Sequence, residues 1–490
     1  MEPAILQAAW ILDKQWLKFN KELKQGKLKH LEYDTKKQRW SLRKSKASKA
    51  QEVLDDQQFD FYGGLPFVDI ADVLRFANEK CNFLSAFSPL LPRAAQNVAH
   101  EDNLLASILA KAFNLGNLKM SEMSDILYQT LETTAQQYLR LSTLQSACDI
   151  LSNNIASLPI FAHFSFDLET LYGAVDGQKF EVERPTTKAR YSKKYFGRGK
   201  GVVAYSLLAN HIPLASQLIG ANEHESHFFF DSWYNNVSNV IPDAITGDMH
   251  SINKMNFAIM DWFGAEFRPR FTDINTQLNN VYSSNNPKDY EHHLLKPAGQ
   301  INRQLIIEEK ANIDRIILTL GLKETRQSTL VKKMCTYTQN QTFKAIAEYD
   351  KIIRSIHTLK YFRDIKMQGD IHHSQNRLEA YHQLRAAIAR VSGKKQLGGK
   401  TDIDCEISNQ CARLVANAII YYNASILSKL LEKLEACPDS EKLALLKKIS
   451  PVAWQHIHML GHYIFCTNKN RLDLDAIVAN IVLERRKNAI

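Results

Sequence analysis

Three observations predict a mixed α+β chain. Apolar residues recur at three-to-four spacing through the first 154 positions, the period shortens to two near position 155, and helical spacing returns from about 300 to 440. Short strands, then a helix, then another strand read as a mixed sheet covered by helices and flanked by mainly helical regions. At 490 residues, 45% of them apolar, the chain is long enough for a sizeable core.

Residues 3 to 24 place Ile5, Ala9, Leu12, Trp16 and Phe19 on one helical face and lysines on the other, with Gly26 as the stop. The basic stretch from Lys14 to Lys49 is interleaved with Trp16, Phe19, Tyr33 and Trp40. This composition suits phosphate contacts with base stacking, and equally a solvated helix face. In DNLLASILAKAFNLGNLKMSEMSDI, Asn114 and Gly116 mark a helix end. FAHFSFDLETLYG then reads as a strand that delivers Asp176 at a Gly-Gln turn. KGVVAYSLLANHIPLASQLIG and VIPDAITGDM follow as further strands, with a helix over HESHFFFDSWYNNVS before the last. SGKKQLGGKTD interrupts the later helices. SPVAWQHIHMLGHYIF opens a final helix, with Ser450 as N-cap and Pro451 at the first helical position.

Sixty-two Lys and Arg against fifty-two Asp and Glu give a net charge of +10, which favours an anionic partner, most simply nucleic acid. The longest apolar run, ARLVANAIIYY, falls short of the roughly 18 residues of a membrane span. The N-terminus has an early acid and no basic leader, so a cytoplasmic, nucleoid-associated chain with no membrane partner is expected. Seven scattered cysteines with no CxxC argue against disulfides and zinc knuckles, and are expected to be buried thiols.

Three motifs fall short of their chemistry. GKKQLGGKT, 393 to 401, has one residue too many for a phosphate-cradling loop and follows a helix, so a flexible basic loop is expected. In NEHESH, His224 and His227 are three apart rather than four, which argues against a zinc-protease pair. His458, His462 and Cys466 share a helical stripe, a pattern commoner in packing than in metal binding. A fourth signal is dispersed. Asp176, Asp248 and Glu379 could meet where neighbouring strand ends face a helix, and their repulsion would then call for cations such as magnesium between them. Fifty-two acids allow a great many such triples, and composition does not select this one.

Ordered similarity does select it. DGQKFEVERPTTKARYSKKYFGRGKGVVAYSLLANHIPLASQLIGANEHESH, 176 to 227, carries a D-G-Q-x-F opening. DMHSINKMNFAIMDWFGAEFRPRFTDI follows, with N-F-A and P-R-x-x-D-I. EAYHQLRAAIARV then matches E-A-x-x-x-L, and SPVAWQHIHMLGHYIF matches S-P-x-x-W-x-H-I. In this order, from about 80 to 466, the chain resembles the catalytic half of the Tn-three family of bacterial replicative transposases.

The resemblance implies a ribonuclease-H-like core with Asp176, Asp248 and Glu379 as catalytic, metal-holding acids. It also implies two Mg2+ ions, with Mn2+ able to substitute. The implied activity is cleavage at transposon 3′ ends and transfer of the 3′-hydroxyl into target DNA, in replicative, cointegrate-type transposition. The alternative is an inactive truncated chain that binds DNA or full-length transposase as scaffold or inhibitor. Lys188, Arg190, Lys193, Lys194, Arg198, Lys200 and Arg270 are the expected DNA contacts, and Gln178 and His250 the supporting residues beside the acids. DNA, a second copy of the chain and a separate N-terminal end-binding protein are the expected partners. From 176 to 248 is 72 residues, but from 248 to 379 is 131, so a helical insertion is expected over 281–370. The core would then comprise 155–280 and 371–430, between a basic helical region at 1–154 and C-terminal helices at 431–490. Ala174 and Val175 stand where the family usually has small or hydroxyl residues before the first aspartate, and Gly247 and Met249 where it has threonines around the second, although His250 is kept. The family's proteins are about twice this length, so this looks like their catalytic half, without the end-recognition half.

Overall fold

The computed structural model describes residues 2–42, 61–91, 100–166, 169–436, 439–465, 471–479 and 481. Their architecture is mixed α+β, built on a seven-stranded sheet. Its strands are β1 (Tyr172–Val182), β2 (Arg190–Tyr191), β3 (Lys200–Ala209), β4 (Ile212–Gly220), β5 (Ala244–Thr246), β6 (Glu266–Phe267) and β7 (Gln396–Leu397). The spatial order is β2-β3-β1-β5-β6, with β4 paired to β3 and β7 to β1. β1 is antiparallel to β3 but parallel to β5 and β7. The β3–β4 hairpin turns on Asn210 and His211, both left-handed, at φ 43° and 70°. Alternation along β3 covers both faces. Val203, Tyr205 and Leu207 enter the main core, whereas Val202 and Ala204 join Phe180, Val182, Leu218 and Leu397 in a smaller one.

The principal helices are α1 (Glu2–Lys24), α2 (Glu101–Ala112), α3 (Leu141–Ser157), α4 (Gln341–Arg363), α5 (Ile365–Arg390) and α6 (Asp402–Ala436). α6 packs on α2, α3 and β4. Its buried Arg413 is partnered inside the core, donating to the carbonyls of Leu214 at 2.5 Å and Pro213 at 3.1 Å. α6 is long and apolar enough to cross a membrane, but its apolar stretch is almost wholly buried against the rest of the chain. Between β6 and α5 lie four further helices, Ile274–Leu278, Arg303–Glu308, Lys310–Gly321 and Gln327–Thr336, and then α4.

Several local expectations are corrected. Trp16 and Phe19 are buried rather than free to stack on bases, because the apolar face of α1 packs on α4 and the Trp16 indole donates to the Tyr282 carbonyl at 2.9 Å; Trp40 is buried on a separate short strand, Arg39–Leu42. Residues 43–49 of that basic stretch lie outside the described residues. FAHFSFDLETLYG is not one strand. Pro159 starts a helix, Pro159–His163, and the strand begins at Tyr172; Asp167 and Leu168 lie outside the described residues.

SPVAWQHIHMLGHYIF forms no helix. The Asn423 side chain donates to the carbonyls of Pro451 and Ala453, and Val68 N–H donates to the His456 carbonyl, so the acceptors a helix would use are taken. Ile457–His458 instead pairs with Val68–Asp69. His458 and His462 therefore share no stripe, His458 stacks on Phe67, and Cys466 lies outside the described residues. The loop at 393–401 is pinned rather than free. Asn114 donates to the Gln396 carbonyl at 2.6 Å and accepts from Gly398 N–H at 2.8 Å. Cys148, Cys405 and Cys411 are buried, but Cys81 and Cys335 only half so; Cys437 lies outside the described residues.

Candidate active site

Asp176 lies inside β1, not at its end. It is opposite Ser206 of β3, and Gly177 and Gln178 continue the ladder opposite Tyr205 and Ala204. Glycine at 177 meets a spatial need rather than a turn, since a Cβ there would sit 2.5 Å from Glu225 Oε1 and from Val203 Cγ1. On the other side of β1, β5 pairs Ala174 with Thr246 and then stops. Two residues beyond that pair, on a parallel neighbour, Asp248 is brought level with Asp176. Its carboxylate accepts from His250 N–H at 2.8 Å, which caps the short turn Met249–Ser251. His250 itself is exposed.

Glu379 projects from α5, and His382, three residues on, shares its face. His382 Nδ1 lies 3.8 Å from Glu379 Oε2 and 4.0 Å from Asp176 Oδ2. The two carboxylates are 67% and 35% exposed, the imidazole only 6%. Gln178 is buried and donates Nε2 to the His382 carbonyl at 2.5 Å. Among the described residues, the donor atoms of Asp176, Glu379 and His382 all lie within 4.8 Å of one another; Asp248 falls outside that group.

Two residues that sequence reasoning missed belong here. His382 was legible as the i+3 neighbour of Glu379. Glu225 was seen only as part of a failed zinc motif, yet it packs behind β1, 3.8 Å from Lys179 Nζ. Burial first, and then the charges of Asp176 and Asp248, push the Glu225 carboxyl up to about 6. Burial likewise raises Asp176, against the opposing effect of His382. The approach of His382 holds Glu379 below the usual range, although 3.8 Å is long for a hydrogen bond.

Asp176, Glu379 and His382 open into a cleft of about 600 Å³, lined also by Lys179, Tyr195, Phe196, Lys394 and Lys395. The cations of the hairpin segment that links β1 to β3, residues 183–200, divide into two sets. Lys188 Nζ donates to the Leu218 carbonyl at 2.8 Å, and Arg190 donates to the Thr187 and Ala189 carbonyls, so both are committed internally. Lys193, Lys194, Arg198 and Lys200 are exposed. Arg270 is exposed too, and its N–H donates to the Gly247 carbonyl at 2.9 Å, which sets it beside Asp248.

The donor set suits a divalent cation. Octahedral ions with bonds of about 2.1 Å hold donors roughly 3 to 4.2 Å apart, and the imidazole-to-carboxylate separations of 3.8 and 4.0 Å fall within that range.

Residues 72–463 match the family described as the Tn3 transposase DDE domain. The chain is similar to the transposase for transposon Tn4556 of Streptomyces fradiae, 25% identical over 82% of this chain and 45% of that protein. It is also similar to the transposases for Tn2501, at 26% identity over 83% of this chain, and Tn21, at 24% over 82%, both of Escherichia coli; each match covers 40% of the relative. The chain thus spans less than half the length of these relatives. On the family match, which covers most of its length, the chain belongs to the Tn3 transposase DDE domain family.

Proposed function

We propose that this chain is the catalytic region of a DNA transposase. Its core, 155–280 and 371–430, is read as ribonuclease-H-like with 281–370 inserted. Asp176, Asp248 and Glu379 are the acids that would hold two Mg2+, or Mn2+ in their place. Bound there, such ions would activate the attacking oxygen and stabilise the leaving one. The same residues would serve two displacements at phosphorus: water cleaving the bond at a transposon 3′ end, then the freed 3′-hydroxyl attacking a target phosphodiester as its own 3′-oxygen leaves. Lys193, Lys194, Arg198, Lys200 and Arg270 would hold DNA backbone across the cleft mouth rather than read bases. Gln178 would hold α5 against β1, and His250 N–H would orient Asp248. Replicative, cointegrate-type transposition, a homodimer and a separate end-binding protein complete this reading.

The observation that carries it is the convergence of Asp176 and Glu379, far apart in sequence, in one open cleft, with Asp248 just past the end of the adjacent strand. One observation favours a second reading, a catalytically idle scaffold or inhibitor: the Asp248 carboxylate is turned to cap its own backbone and stands outside the close group. The test is metal-dependent strand transfer on pre-nicked transposon-end DNA, comparing the chain with Asp248→Asn. Turnover that disappears in the variant while DNA binding persists supports the enzyme. Binding with no acid-dependent turnover supports the scaffold.

A further inference from the structure

An all-carboxylate site has no use for the imidazole that stands at the centre of this one. His382 is almost wholly buried, so its ring does not sample solvent, and Nδ1 points between Asp176 Oδ2 and Glu379 Oε2. Among the described residues Nε2 is buried with no hydrogen-bond partner, and the ring's polar contacts there are on the carboxylate side. The backbone beneath it is fixed, because Gln178 of β1 holds the His382 carbonyl. With Asp248 outside the group, the third donor within reach of one ion is a nitrogen.

We propose that His382 Nδ1 is a metal ligand, and that Asp176, Glu379 and His382 form a mixed nitrogen–oxygen site that takes a first-row transition ion in preference to Mg2+. The proposal rests on reading Asp176 and Glu379 as metal-holding carboxylates, but not on the reaction they serve. Magnesium prefers oxygen donors and sheds its water reluctantly, whereas imidazole is a good ligand for transition divalent ions. Lys179, which lines the same cleft, lies 3.8 Å from Glu225 Oε1 and offsets part of the negative charge around the site.

The test uses the full chain, freed of metal and loaded with one equivalent of Mn2+, and reads the ion's ligands by pulsed electron paramagnetic resonance. Nitrogen-14 coupling from one imidazole is expected in the wild type. In His382→Gln the coupling disappears and Mn2+ affinity falls by about tenfold or more, while competition by Mg2+ becomes more effective. Should that variant fail to fold, the wild-type spectrum alone decides. Mn2+ held by oxygen only, and released by Asp176→Asn, overturns the nitrogen ligand but leaves the proposed active site standing. A nitrogen-coupled ion on a chain that never cleaves DNA supports the ligand and overturns the function instead. Absence of any Mn2+ binding overturns both.

Discussion

Gln178 Nε2 reaches across from β1 to the backbone carbonyl of His382 at 2.5 Å, joining the strand that carries Asp176 to the helix that carries Glu379. The amide is buried, so its replacement leaves an acceptor with no water to turn to. Gln178→Leu is expected to lower stability by about 1–3 kcal/mol, read as a reduced denaturation midpoint. Divalent-ion affinity should weaken with it. A loss of stability with metal affinity intact would mean that this bond braces the core but not the site.

Glu225 makes stability depend on pH in a defined direction. Its carboxyl is raised in the folded chain from 4.5 to about 6, so the folded state favours the protonated form. The resulting stabilisation is complete below the unfolded value and is lost as pH climbs through about 6. For a side chain only 13% exposed, this corresponds to about 2 kcal/mol. Glu225→Gln should therefore be more stable than the wild type at pH 8 in metal-free buffer, with the gap closing by pH 4.5. Urea titrations at the two pH values check this, and a pH-independent difference would rule out the ionisation as its cause.

Gly247 stands where the family has a threonine. A Cβ at this position would meet Ser251, whose own Cβ would be 2.6 Å away, and that serine is buried in the turn capped by Asp248. Gly247→Thr, although it restores the family residue, should destabilise the chain by about 1–3 kcal/mol. Pairing it with Ser251→Gly should recover most of the loss. Thermal melts of the single and double variants separate steric crowding from a direct role for the hydroxyl.

The hairpin cations should behave as two populations. Removing Lys193, Lys194 and Arg198 together is expected to weaken DNA binding on any sequence and to flatten its salt dependence by up to about three phosphate contacts. Lys188→Ala should act chiefly on stability, because Nζ is already bound to the Leu218 carbonyl. Asp248→Asn should retain both DNA affinity and fold, since an asparagine oxygen still accepts from His250 N–H. Fluorescence anisotropy across a salt series, beside melting curves, distinguishes the three cases.

Alternation made the strand character of residues 200–220 legible, but that run reads as one strand, and the left-handed turn at Asn210 and His211 divides it into β3 and β4. Sequence pattern failed where long-range partners decide. The run before Tyr172 alternates like a strand but yields to Pro159, and Ser450–Pro451 has the chemistry of a helix start while Asn423 and Val68 take up its backbone. Within the site, Asp176 could be identified, but its mid-strand position could not, because Gly177 reads as a turn until Glu225 is seen to occupy the missing Cβ's space. His382 was within reach of helical spacing alone. Glu225 was not: only the packing of its short turn against Met249–Ser251 brings it to the acids.

β7 pairs with Glu181 and Val182, on the same strand that carries Asp176. The chain therefore leaves α5 only to be stitched back to the strand that α5 packs on, and Gln178 adds a rivet between them. The jaw formed by Asp176 and Glu379 is thus braced at both ends. If one cleft is to serve two successive phosphorus centres, the nucleic acid must be repositioned through it, because the protein frame has little freedom to follow.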